Sequence, residues 1–150
     1  MKYFKEEYYI NNTFDNGTTG VRVSGKQNLV EGNVFENYNQ PAWGDSVALN
    51  IAGGNNNTIQ DNIFRNITNH AFKLENTDDN IFTNNSLDRT GIGAHTSLVT
   101  SGFRNNINNN TFTSCRNDTT PWYVTGILFV FDNTVDYRGG NHSVVDNTFY

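Results

Sequence analysis

The sequence predicts an all-β solenoid: short parallel strands wound into successive coils that stack on one another. Three observations carry this prediction. The tripeptide Asn, any residue, then Phe or Leu occurs six times, ending at Phe14, Phe35, Phe64, Leu87, Phe112 and Phe149. Five positions before each of these stands an apolar residue: Tyr9, Val30, Ile59, Phe82, Ile107 and Val144. The copies are 21, 29, 23, 25 and 37 residues apart. Three short strands and three turns take about 20–25 residues, whereas helical repeats usually need about 33 or more. An Asn-rich composition scatters Asn-x-Phe triplets by chance, but it does not keep six of them in phase with an upstream apolar residue.

The elements follow from side-chain alternation. Val21-Arg22-Val23, Val47-Ala48-Leu49-Asn50-Ile51 and Phe72-Lys73-Leu74 each alternate, which puts every second side chain on one face of a strand. Asn, Gly, Asp and Thr, favoured in turns, separate the segments. One coil cannot bury its apolar face alone, and stacked coils can. In register, Asn12, Asn33, Asn62, Asn85, Asn110 and Asn147 would each lie about 4.8 Å from the counterpart in the next coil. Each amide would donate to and accept from its neighbour as in a stacked amide ladder. The Phe two residues on would point inward and stack. Four copies carry a further Asn seven residues before the Phe or Leu: Asn28, Asn57, Asn80 and Asn105.

The pattern Asn-x-Ile/Val-x-x-Asn-x-Phe resembles the right-handed parallel β-helix of the pectate-lyase-like superfamily, and within it the repeats of NosD-type proteins and alginate/chondroitin lyases. The resemblance runs from about Tyr8 to Tyr150. It implies a single-stranded right-handed parallel β-helix of about six coils, each with strands PB1, PB2 and PB3 and the Asn ladder in the turn after PB2. PB2 is then Leu29-Val30-Glu31, Thr58-Ile59-Gln60, Ile81-Phe82-Thr83 and Val144-Val145-Asp146. PB3 contains Phe14, Phe35, Phe64, Leu87 and Phe112. PB1 is 20–24, 46–52, 71–75, 97–101 and 126–132. The long connections 38–45, 89–95 and 116–125 follow PB3, and 133–140 follows the last PB1. Residues 1–150 read as a single β-helix domain without a linker. The absence of a capping segment leads to the expectation of a fragment of a longer β-helix, or of ends covered by a partner, by end-to-end self-association or by residues 1–7.

Composition narrows the function. The 150 residues include 27 Asn, and only 17% are charged, with a net charge of −5; an ordinary soluble protein has roughly 25% charged residues. Leu, Ile, Val and Phe together number 37, enough for a core. The acidic balance argues against nucleic acid as the main partner, and no apolar run approaches a membrane span. Cys115, the single cysteine, excludes an internal disulfide and a cysteine-based metal site, and it reads as buried rather than reactive. Asn-x-Ser/Thr sequons begin at Asn11, Asn16, Asn56, Asn66, Asn84, Asn109, Asn117 and Asn141. They agree with an extracellular or cell-surface location without establishing one.

The resemblance places polysaccharide sites on the outer PB1 face, between the loops. With Val21, Val23, Leu49, Ile51, Phe72 and Leu74 inward, the outward column reads Arg22, Asn50 and Lys73, with Ser24 and Glu75 beside it. Uronate cleavage needs a cation on the sugar carboxylate and a base at C5; Arg22 suits the first role and Lys73 the second, while ordinary solvated residues, with Lys73 paired to Glu75, fit the same positions. The catalytic Lys and Arg of the alginate/chondroitin lyases lie eleven residues before the PB3 Phe. Here those positions hold Ser24, Gly53, Asn76, Ser101 and Arg138, so only Arg138 is basic and the family's pair is missing. Trp43 and the Trp122-Tyr123 pair, each near Pro in a loop flanking PB1, are candidate sugar-stacking platforms or anchors for their loops. Asn76-Thr77-Asp78-Asp79 is similar to the acidic motif of polygalacturonases but reads as a PB1–PB2 turn, and Asp78 and Asp79 are the weak candidates for calcium. No cofactor or other metal is expected. His70, His95 and His142 are acid/base or metal candidates, or stacked polar residues at turns. The expected function is extracellular polysaccharide binding or processing (lyase-, hydrolase- or epimerase-like); the alternative is a non-catalytic surface module such as an adhesin, stalk or envelope component.

Overall fold

The structure is a computed structural model describing residues 6–17, 20–38, 47–68, 70–90, 96–100, 102–115, 125–129 and 139–150; the side chains of Glu75 and of residues 96–100, 125–129 and 139 fall outside this description. Six successive coils contribute strands. The first gives β1 (Tyr8–Ile10) and β2 (Thr13–Asp15), and the second β3 (Val21–Val23), β4 (Leu29–Glu31) and β5 (Val34–Tyr38). The third gives β6 (Val47–Ala52), β7 (Thr58–Gln60) and β8 (Ile63–Ile67), and the fourth β9 (His70–Glu75), β10 (Ile81–Thr83) and β11 (Ser86–Thr90). The fifth gives β12 (Thr96–Thr100), β13 (Gly102–Phe103), β14 (Asn106–Asn108) and β15 (Thr111–Thr113). The sixth gives β16 (Thr125–Phe129), β17 (Gly139–Gly140), β18 (Ser143–Val145) and β19 (Thr148–Phe149).

Every pairing among these strands is parallel and joins one coil to the next. PB1 is the five-stranded sheet β3-β6-β9-β12-β16. PB2 is the six-stranded sheet β1-β4-β7-β10-β14-β18, and PB3 is β2-β5-β8-β11-β15-β19. A two-stranded fourth sheet, β13-β17, extends the PB1–PB2 turn in the last two coils. The expected strands are present with shifts of about one residue; the last PB2 strand, for example, is Ser143–Val145 rather than Val144–Asp146.

Inside, each phased position forms a column. Val30, Ile59, Phe82 and Ile107 are fully buried, as are Phe35, Phe64 and Leu87. The rings of Phe14, Phe35 and Phe64 stack with centroids 4.9 Å apart, and Phe112 and Phe149 stack at 4.8 Å. Leu87 interrupts this PB3 column, and its coil fills the space with Phe72 and Phe82, stacked at 4.4 Å. In the last coil the inward positions are open, with Val144 43% and Phe149 55% exposed.

The ladder stands in the turn after PB2. From Asn12 to Asn147, each rung's backbone N–H donates to Oδ1 of the rung in the next coil at 2.9 Å. Each Nδ2 donates to the same oxygen at 3.0–3.1 Å. Nδ2 also reaches strand carbonyls; that of Asn62 donates to Val30 and Gln60.

A second ladder, not foreseen, stands in the PB1–PB2 turn. Asn28, Asn57, Asn80 and Asn105 repeat the pattern, with backbone donations of 3.0 Å and side-chain donations of 2.8–2.9 Å. Glu7 donates its N–H to Asn28 Oδ1 at 3.0 Å. At the other end His142 takes the rung, its Nδ1 accepting the Asn105 N–H at 3.3 Å.

Candidate functional site

The PB1 register brings three of the expected residues into one column. Arg22 pairs with Asn50, and Asn50 with Lys73, on β3, β6 and β9. The inward neighbours Val23, Leu49, Ile51, Phe72 and Leu74 are fully buried, so this alternation leaves Arg22, Asn50 and Lys73 on the outer face. Arg22 is exposed, and Asn50 and Lys73 are half-buried between neighbouring strands. At the parallel-strand spacing Arg22 and Lys73 stand about 10 Å apart. The backbone register continues from Lys73 to Val99 and then Leu128. Glu75 pairs with Ala52 one step along the same sheet. Ser24 follows β3 and is exposed.

Charge differs between the faces. Among the described side chains of PB1 the formal charges are Arg22 and Lys73, both cationic. On PB3 the outward column is Asp15, Glu36, Arg65, Asp88 and Thr113, with acids in three of five positions. There Arg65 pairs with Glu36 at 2.6 Å. Glu75 adds one acid to PB1 two residues along β9 from Lys73, against three acids and one cation in the PB3 column.

The Asp78–Asp79 segment is a turn, as expected, and its carboxylates bind neighbouring coils. Asp78 Oδ1 accepts the Phe103 N–H at 2.9 Å, while its own N–H donates to Asn55 Oδ1 at 3.0 Å. Asp79 forms a two-pronged pair with Arg104, at 2.6 and 2.7 Å. The hydrogen bond from Arg104 holds the Asp79 carboxyl below its ordinary range, and Asp79 in turn raises the Arg104 guanidinium. Among the described residues no group of three or more His, Cys, Asp or Glu could hold a metal ion.

His70 and His142 lie in different elements. His70 is not ahead of PB1 but is the first residue of β9, paired with Val47. His142 is in the PB1–PB2 turn. Cys115 is half-buried, its Sγ 3.3 Å from Thr90 Oγ1. Trp43, His95, Trp122, Tyr123 and Arg138 lie outside the described residues.

A family model described as a right-handed beta helix region matches residues 5–149, and the chain belongs to that family. This adds the hand of the coil to the parallel ladder geometry. No curated protein and no solved structure matches the chain. Among the described residues no helix is long and apolar enough to cross a membrane.

Proposed function

We propose that this β-helix binds an anionic polysaccharide outside the cell, along the outer face of PB1. The observation that carries the reading is the Arg22–Asn50–Lys73 register column. An extended polymer matches a strip that crosses successive strands. Arg22 can grip a carboxylate through two N–H groups, Asn50 offers an amide for a hydroxyl, and Lys73 supplies a second charge. Such exposed contacts contribute modestly each and weaken with salt. The proposal is one of binding; it assigns neither a bond cleaved nor a catalytic base. Trp43, on the connection before β6, is the aromatic proposed to stack on a sugar ring.

The test compares a polyuronate with a neutral glucan at low salt, using the wild type and the Arg22→Ala/Lys73→Ala double variant. The expected result is preference for the polyuronate, lost by roughly tenfold or more in the variant and weakened by added salt. Equal binding to both polymers, or an unchanged variant, would overturn it. The second reading, a non-catalytic structural module, is favoured by the two ladders, which assign ten of the asparagines to holding coils together. It predicts no binding to either polymer.

A further inference from the structure

Four rungs of the PB1–PB2 ladder are asparagines, whose amide keeps the same donors and acceptor across the pH range of proteins. The fifth is His142, seven residues before Phe149, where four of the other five coils have Asn and the first has Glu7. Its Nδ1 takes the place of the amide oxygen and accepts the Asn105 N–H at 3.3 Å. Accepting at Nδ1 requires the neutral ring with its proton on Nε2. A second proton would occupy Nδ1, remove the acceptor and set two N–H groups against each other. We propose that His142 is an acid-released rung, and that its protonation loosens the coil 139–150 from the coil before it.

The rest of that coil's attachment makes the rung matter. Its strands are short, two residues in β17, three in β18 and two in β19, so each hydrogen bond to the coil before it is a sizeable part of its attachment. Among the described residues the Asn147 rung, the Phe112–Phe149 stack and the pairings β17 to β13, β18 to β14 and β19 to β15 also hold it. Gly102–Phe103 and Asn106–Asn108, packed against the turn, carry no titratable side chain. The charged groups in the described part of this turn column are Arg104 with its partners Asp78 and Asp79 on the His142 side, and Lys26 and Glu7 in the first two coils. Burial lowers the pKa of His142, while the charge of Asp78 draws it partly back up. With the folded pKa below the unfolded value, stability is complete above about pH 6.5, the unfolded pKa. It declines as pH falls through that value, and the decline levels off below the folded pKa.

Hydrogen exchange of the full chain between pH 7.5 and 5.5, corrected for intrinsic rates, tests this. Protection of the Asn105 amide and of residues 143–150 should fall as the pH drops, by up to about tenfold for each unit separating the two pKa values. Residues 58–67 should hold theirs. His142→Asn should make the last coil's protection independent of pH in this window. Constant protection in the wild type, or the same loss in His142→Asn, would overturn the proposal. NMR of the wild-type imidazole gives a check that needs no variant. The expected signature is a neutral ring protonated at Nε2 with a pKa below 6.5; protonation at Nδ1 of the neutral ring or an unshifted pKa would overturn it.

Discussion

Asparagine does two distinct jobs in this chain, and in several turns they fall on adjacent residues. The rung residue extends the ladder. The residue before it adopts positive φ, as at Asn11, Asp61, Asn84, Asn109 and Asp146 in one turn and Asn56, Asp79 and Asn141 in another. Asn and Asp tolerate this left-handed conformation better than most residues. Ser or Thr then often opens the next strand, as in Asn84-Asn85-Ser86 and Asn109-Asn110-Thr111. Seven of the eight sequons have their Asn at such a positive-φ position: Asn11, Asn16, Asn56, Asn66, Asn84, Asn109 and Asn141. The coil geometry alone therefore accounts for these sequons, which weakens them as evidence for glycosylation. The first ladder was legible in the sequence because its phase is tied to the Phe column. The second was visible only as a repeated Asn, since a letter cannot distinguish a rung from a corner. Asn62 is buried, with a rung on either side; Asn12 is exposed at the end of the ladder. Asn62→Ala should therefore cost clearly more than Asn12→Ala, at about 1–3 kcal/mol for each buried group left unpaired. Denaturant titration of the two variants measures the difference.

At the scale of strands and columns, the inward positions behave as one shared volume. The turns on either side of PB2 are short in most coils and fix its phase, so strand positions could be read from sequence to within about a residue. The loops could not, because nothing repeats in 39–46 or 116–124. The interior also shows compensation that single positions hide. Leu87 occupies a Phe position in the PB3 column, and in the same coil Phe82 occupies a position filled by Ile59 and Ile107 in the coils on either side. A second large ring at position 87 would crowd a packed layer. Leu87→Phe alone should destabilise by about 1–3 kcal/mol through overpacking. Phe82→Ile alone should also destabilise, by leaving a cavity beside Phe72. The double variant should recover much of both losses, because it restores the pattern of its neighbours. A double-mutant cycle by chemical denaturation reads the coupling, and simple additivity would show that the two columns do not share volume.

For the whole molecule, coil spacing has to suit three sheets and two amide ladders at once, and backbone contact sets it at one corner. Gly25, Gly54, Thr77 and Gly102 share the same offset from the second ladder. There the chain of one coil lies directly against the next: a Cβ added at Gly54 would sit 1.6 Å from the Gly25 carbonyl oxygen, and one at Gly102 2.2 Å from that of Thr77. Neither oxygen can move aside, since both belong to backbone held in the stack. This is also where sequence alone was least informative, because a glycine needed for clearance looks the same as one needed for its dihedral angle. The adjacent pair Gly53 and Gly54 separates the two. Gly53 has φ of +70° and nothing within 4 Å of an added Cβ, so Gly53→Ala should cost only the left-handed penalty, about 1–2 kcal/mol. Gly54→Ala must separate two coils and disturb the ladders that join them. It should cost at least about 3 kcal/mol, in the upper range of single substitutions. Thermal and denaturant unfolding of the two variants gives the comparison. A Gly54→Ala protein as stable as Gly53→Ala would mean that the coils can spread at this corner without loss, and that backbone contact there does not set the rise of the solenoid.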